Sequence, residues 1–505
     1  MASPTSLPTS LVPLSLHPTT SLALPPNELK DLIFAHLSSP DLLHLSATCK
    51  ALYARARDHA YQHITLTWDD SPSQRTKVPI LQRLLRTLIT APALSARIKT
   101  LKLHAKNCMY FTDDGTFRFS IPRNAVDLEP AESALFHQAI LPLGLHADGT
   151  WESGLDNIRG TFYIMLGLVL ASCPNLSSLD LSIVFLCPYE WFEDLVRQGV
   201  SDPSSPKAAW MRGLKKFTLS CDTGDESFTP GFLKLGKTML WLFYLPAVIA
   251  DALGQEVLDL FWPMDPKPVA AQLTALTLTR YSAEALTLGC VLRQCPHLRR
   301  FELDRTQHPE SRPFDMNLLK EALIYIAATL EHLSIRYEVY FDADYAENVS
   351  DLVNITSGRL GPIHSFNKLV YLETSLHVLF GAEDSLINVF YSLAEVLAPG
   401  LRELVITDDL YGFADWQQYL EDKDAMKLFE RYLTSEKAGR GGGKQGGEWK
   451  VATPELKRFV YDLRKRGEYT VRYWDQEENR EALKEKCRAQ RIEGDVLWSY
   501  QVRRR

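Results

Sequence analysis

Thirteen histidines and eight cysteines could supply metal ligands or nucleophiles, but their spacing organises neither. The cysteines stand at 49, 108, 173, 187, 221, 290, 295 and 487, with no C-x-x-C among them. They spell no zinc pair and no disulfide framework, and they predict reduced thiols. The chain has no G-x-S-x-G, no H-E-x-x-H and no dinucleotide fingerprint. The glycine-rich stretch from Gly439 to Gly447 holds Lys444, but Ala438 stands where a phosphate loop needs its first glycine, and Gln445 replaces the hydroxyl residue. It is expected to be a flexible connector. The sequence thus predicts no catalytic centre, no metal site and no cofactor. What recurs at fixed spacing is a set of polar residues alternating with leucines, notably Asp180, Ser182, Arg300, Glu302, Asp304, Arg336 and Glu403. Their chemistry is recognition by charge pairing and hydrogen bonding, and their mixed signs suit a protein or a small ligand better than nucleic acid.

Alternation of this kind needs strands. The pattern apolar-x-x-apolar-x-apolar appears as Ile98/Leu101/Leu103, Leu176/Leu179/Leu181, Leu214/Phe217/Leu219 and Leu273/Leu276/Leu278. It returns as Leu298/Phe301/Leu303, Leu330/Leu333/Ile335, Leu401/Leu404/Ile406 and Leu456/Phe459/Tyr461. Leu369/Leu372 with Thr374 is a degraded copy. Helical spacing precedes several copies, as in Leu288, Val291, Leu292 and Cys295, or Leu319, Ala322, Leu323 and Ile326. Cys173-Pro174-Asn175-Leu176 and Cys295-Pro296-His297-Leu298 are copies of one turn, in which proline stops the helix and cysteine packs as a small apolar residue. Helix, turn and strand, repeated, define the leucine-rich repeat. The step from Leu273 to Leu298 is 25 residues, whereas those to Leu330, Leu369 and Leu401 are 32, 39 and 32, so insertions are expected. The aromatics Tyr189, Trp191 and Phe192 lie just past one strand. The predicted fold class is α/β: a small N-terminal helical unit followed by an irregular repeat solenoid.

Residues 1–21 are rich in Ser, Thr and Pro, with no Lys or Arg, which fits a disordered leader and no targeting signal. Residues 22–68 form the helical unit, 69–95 a linking helix region, 96–474 the solenoid and 475–505 a charged tail. The longest apolar run, Met239 to Ala250, is too short for a bilayer and is expected to be a buried helix. A net charge of −7 disfavours nucleic acid, which needs a basic footprint. No membrane partner is expected, and the compartment is expected to be cytoplasmic, nuclear or both.

In the helical unit, Leu24-Pro25-x-x-Glu28-Leu29, Ile33, His36-Leu37, Asp41-Leu42-Leu43, Leu45-Ser46, Thr48-Cys49-Lys50 and Leu52-Tyr53 resemble the F-box pattern along nearly its whole length. The repeat block resembles the leucine-rich repeats of F-box proteins. The resemblance implies that the unit docks a Skp-type adaptor, and through it a cullin. It assigns docking to Leu24, Pro25, Glu28, Leu29, Ile33, Leu37, Leu42, Leu43, Leu45 and Cys49. Under 50 residues, such a unit buries too little surface to hide all its leucines. The implied function is substrate recognition for a ubiquitin ligase, with the solenoid holding the target; the alternative is an adaptor-bound scaffold without ligase activity. The chain itself would be no enzyme: it would act by raising effective concentration. A Leu24→Ala, Pro25→Ala double variant is expected to lose adaptor binding in a pull-down while staying folded; unchanged adaptor recovery would refute the docking assignment.

Overall fold

The computed structural model describes residues 26–48, 50–69, 81–106, 108–111, 117–119, 128–143, 158–186, 195–196, 209–220, 247–251, 272–281, 284–307, 313–339, 356–381, 392–409, 422–434, 448–463, 473–474 and 476–497. The leader, the glycine-rich stretch and the aromatics Tyr189, Trp191 and Phe192 lie outside these.

Three helices come first: α1 (Asn27–Phe34), α2 (Ser39–Thr48) and α3 (Lys50–Ala60). Pro26 enters α1 in an extended conformation, φ −51° and ψ 152°. Ser38 caps α2: its Oγ accepts the Asp41 N–H at 3.3 Å and donates to the Asp41 carboxylate at 2.5 Å. Phe34, Leu42, Leu52, Ala56 and Ala60 form the unit's own small core, with Leu37 and Leu45 packed partly against it.

Twelve strands then form one sheet in unbroken chain order, every neighbouring pair parallel. They are β1 (His63–Asp69), β2 (Thr100–Lys106), β3 (Ser178–Ser182), β4 (Lys216–Ser220), β5 (Ala247–Asp251), β6 (Ala275–Tyr281), β7 (Arg300–Gln307), β8 (His332–Val339), β9 (Tyr371–Ser375), β10 (Glu403–Thr407), β11 (Arg458–Asp462) and β12 (Glu493–Leu497). Helices connect them, among the described residues Leu81–Thr90, Ile158–Ala171, Ala285–Leu292, Met316–Ile324, Asp422–Thr434 and Glu477–Ala489. The chain is therefore mixed α/β, with a parallel sheet and an N-terminal helical segment.

One hydrogen-bond motif recurs where successive strands begin. The carbonyl just ahead of a strand accepts two successive N–H groups from the next strand's entry. Gln62 O accepts from Lys99 and Thr100, Lys99 O from Ser177 and Ser178, and Ser177 O from Lys215 and Lys216. Thr274 O accepts from Arg299 and Arg300, Arg299 O from Glu331 and His332, Glu331 O from Val370 and Tyr371, Val370 O from Arg402 and Glu403, and Arg402 O from Lys457 and Arg458. This fork holds each strand in the same register as the last. The pattern leucines consequently stack in rows: Leu101, Leu179, Phe217, Leu276, Phe301, Leu333, Leu372, Leu404 and Phe459 are all 0% exposed. The degraded copy keeps its place, with Thr374 buried where the others carry an aliphatic or aromatic residue.

The two Cys-Pro turns superpose in chemistry as well as in sequence. The Cys173 thiol reaches the Val169 carbonyl at 3.1 Å, and the Cys295 thiol reaches the Val291 carbonyl at 3.2 Å. Both are buried, and burial pushes both thiols up to about 12.

The sheet is longer than its leucine pattern. β1 lies at the end of the 22–68 unit, and β12 lies inside the 475–505 tail, where the helix Glu477–Ala489 buries Leu483 and Cys487. Gly494 permits that last step: a Cβ there would sit 2.5 Å from Cys487 Cβ. The buried helix expected over Met239 to Ala250 is corrected for 247–250, which belong to β5 between β4 and β6. A short apolar run has no period to distinguish helix from strand. Val248 and Ile249 favour a strand, and the backbone of β4 and β6 needs a partner on that side.

Iodoacetamide at mildly alkaline pH should modify the exposed Cys290 quickly and leave Cys173, Cys295 and Cys487 untouched until denaturant is added. Peptide mass spectrometry checks this; labelling of Cys295 at the rate of Cys290 would contradict the packing.

Candidate functional site

The first surface is the outside of the helical unit. Helix α1 is amphipathic in the unexpected sense: it buries Lys30 and Phe34 and turns its leucine stripe outward. Leu29 is 50% exposed, Leu32 63% and Ile33 40%; Leu43 on α2 is 50% exposed and Tyr53 on α3 48%. A polar clasp fixes this orientation. Arg55 holds the Asp31 carboxylate through Nε at 2.5 Å and Nη2 at 2.6 Å, and His59 Nε2 lies 2.9 Å from it. The Arg55 hydrogen bonds, then His59, hold the Asp31 carboxyl well below the usual carboxylate range. The His59 ring also meets Phe34 edge-on at 5.5 Å, closing α3 onto α1. With α1 clamped on that side, its leucines face solvent.

Of the residues the sequence assigned to docking, Glu28, Leu29, Ile33 and Leu43 are exposed, and Leu37 and Leu45 are half-buried. Leu42, at 4% exposure, is a core residue of the unit and presents nothing outward. Leu24, Pro25 and Cys49 lie outside the described residues. Leu32, at 63%, is the most exposed apolar group of the stripe and was not among the residues assigned to docking.

The second surface is the sheet face opposite the leucine rows. Strand register aligns its residues across β7 to β11: Arg300, His332, Tyr371, Glu403 and Arg458 form one row, and Glu302, Ser334 and Glu373 begin the next. The His332 and Tyr371 rings stack at 4.0 Å, 4° from parallel. Glu302 receives His332 Nε2 at 3.2 Å, Thr277 Oγ1 at 2.9 Å and Arg300 Nε at 2.8 Å. Led by His332, these partners hold its carboxyl at about 2. Glu373 receives Ser334 Oγ at 2.8 Å, Tyr371 Oη at 3.1 Å and the Arg336 guanidinium. Glu403 receives Arg458 Nη1 at 2.5 Å.

Sequence alternation thus brings Arg300, Glu302 and Arg336 into one chain of contacts through His332, Tyr371 and Glu373, with Glu403 paired to Arg458 on the same face and Asp304 beside Arg336 in register. Asp180 stands apart near His104, 3.6 Å away. Ser182 is corrected: it is 0% exposed, and its Oγ accepts the Ala105 N–H at 2.9 Å, so it is consumed inside the fold. Glu373 and Tyr371 escaped notice because their repeat is the degraded one, whose missing third leucine hid its strand.

At their C-terminal ends β8 and β9 part. β8 pairs with β7 through eight residues but with β9 through three, His332–Ser334. The Asp409 carboxylate bridges the gap, accepting the Tyr337 N–H and the Thr407 hydroxyl, each at 2.9 Å. Beneath lie Tyr337 and His377, rings 5.5 Å apart and both buried. Among the described residues no group of three His, Cys, Asp or Glu could hold a metal ion, and no helix is long and apolar enough to cross a membrane.

A family model described as F-box-like matches residues 26–67. Residues 26–67 are an F-box-like domain. No curated protein matches the chain. Domains of this kind mediate protein–protein interaction and typically bind Skp-type adaptors. The match ends inside β1, only a few residues past α3, and the Arg97–Asp58 pair at 3.4 Å also ties the F-box-like domain to the turn before β2.

Burial lowers the His377 imidazole to about 3. The folded state therefore refuses a proton that the unfolded chain accepts near 6.5. Its contribution to stability is complete above pH 6.5 and is lost by up to about 1.4 kcal/mol per unit as pH falls below that. Urea midpoints at several pH values from 7.5 to 5 should fall less steeply for His377→Gln than for the native chain; parallel slopes would contradict the burial.

Proposed function

We propose that the chain is the substrate-recognition subunit of a Skp–cullin–F-box ubiquitin ligase. The F-box-like domain docks the adaptor, the twelve-stranded sheet with its helices is an irregular leucine-rich-repeat solenoid, and the polar sheet face receives a protein target. The observation that carries the reading is α1, which buries a lysine and a phenylalanine while exposing Leu29, Leu32 and Ile33. Each is 40–63% exposed, so about half of the 1.5–3 kcal/mol that full burial of such a side chain contributes is forgone. A partner groove recovers it. The unbroken order of strands and the recurring fork support the solenoid. Saturated carboxylates on its face support a rigid, pre-organised recognition surface, because Glu302 and Glu373 are each held by three donors. In this reading the protein is no enzyme. Ubiquitin transfer would follow from proximity, with the target held at a fixed distance from the machinery.

Affinity purification of the intact chain beside Leu29→Ala, Ile33→Ala tests the reading. Interface anchors cost about 2 kcal/mol or more each when truncated, so adaptor and cullin should fall together by well over about ten-fold. An Arg300→Ala, Arg458→Ala variant should keep both and lose the target. Adaptor without cullin in the native sample would leave a scaffold, and neither protein in any sample would overturn the docking assignment.

A further inference from the structure

The edge where strands begin carries a charge pattern that the proposed receptor function does not use. At and just ahead of the strands stand Lys99, Lys215, Arg299, Lys368, Arg402 and Lys457, all exposed. Four of them, Lys99, Lys215, Lys368 and Lys457, have no carboxylate within 4 Å among the described residues. Asp408 and Asp409 follow β10, and Asp462 ends β11. A chain of net charge −7 thus carries six exposed cations along this one edge. That edge also holds a cleft of about 420 Å³, lined by Thr274, His297, Arg299, Thr329, Glu331 and Lys368.

We propose that this strand-entry edge is a docking surface for an Asp/Glu-rich polypeptide segment. The fork of backbone hydrogen bonds places Arg299, Glu331, Val370, Arg402 and Lys457 at equivalent points on five successive strands. Four steps of about 4.8 Å make about 19 Å, the span of about six extended residues. An extended peptide lying across the edge meets Arg299, Lys368, Arg402 and Lys457 in turn, and the cleft takes a side chain between Arg299 and Lys368. Two carboxylates interrupt the row: Glu331 lies 3.7 Å from Arg299, and Glu455 lies 2.9 Å from Arg402. A peptide passes them by placing a neutral residue opposite, whereas a nucleic-acid backbone presents a phosphate at every step and meets both. The exposed cations of the entry edge steer an acidic segment to this side. The proposal does not depend on adaptor docking, since the edge lies on the sheet and not on the outward face of α1.

Fluorescence anisotropy with the full chain tests it, using three labelled probes of equal length: a Glu/Ser peptide, a Lys/Ser peptide and a single-stranded oligonucleotide. At low ionic strength the Glu/Ser peptide should bind and the Lys/Ser peptide should not. Arg299→Ala, Lys368→Ala should weaken binding about ten-fold, and Glu331→Gln, which releases Arg299, should strengthen it. Added salt should weaken it throughout. Both variants change exposed side chains, and circular dichroism confirms that they fold. Equal peptide binding by native chain and double variant would overturn the proposal, as would no peptide binding at low salt or tighter binding of the oligonucleotide.

Discussion

The fork at the strand entries is the constraint on which the rest of the structure depends. One carbonyl accepts two N–H groups from the next strand's entry, and the accepting residue and the one after it donate backward in the same way. This fixes both the spacing and the register of the parallel ladder. Once register is fixed, a leucine in one turn can only stack on its counterparts in the adjacent turns. The rows from Leu101 to Phe459 follow, and so do the polar rows on the opposite face. Insertions between strands are tolerated because they leave the fork untouched: loop length adds only slowly to the entropy of closure.

The F-box-like domain uses the same framework from outside. Only Tyr61 and Gln62 separate α3 from β1, and Gln62 O is the first acceptor of the fork. Asp31, gripped by Arg55 and flanked by His59, holds α1 against α3 so that its buried side carries Phe34. Five small or medium side chains suffice for the domain's core, and the leucines left over become surface. The F-box-like domain and the sheet thus share one short, hydrogen-bonded junction.

On the polar face, charge is organised within the protein before any partner arrives. Glu302 and Glu373 are each satisfied by three side-chain donors, and the His332–Tyr371 stack lies between them. Reorganising these carboxylates would cost their internal pairs. Where β8 and β9 separate, the ladder is continued by a side chain, Asp409, instead of by backbone.

The sequence by itself determined the repeating unit. The leucine triplets, the paired Cys-Pro turns and the helical stripes each follow from local periodicity, and local periodicity is written in neighbouring residues. It also carried the ordered leucines and prolines of the F-box resemblance, and the alternation that put Arg300, Glu302, Arg336 and Glu403 on one face. Tertiary structure alone decided which side of α1 faces inward, because α1 packs Phe34 into the core it shares with α2 and α3 and pairs Asp31 with Arg55 of α3, 24 residues away. It placed Leu42 in the core and Leu32 in solvent. It turned 247–250 into a strand, since only the vacant ladder between β4 and β6 could decide a run without period. It buried Ser182, drew Glu373 into the network despite its degraded repeat, and aligned cations scattered from Lys99 to Lys457 along one edge. Each of these depends on residues far apart in the chain, and no short window of sequence holds both partners.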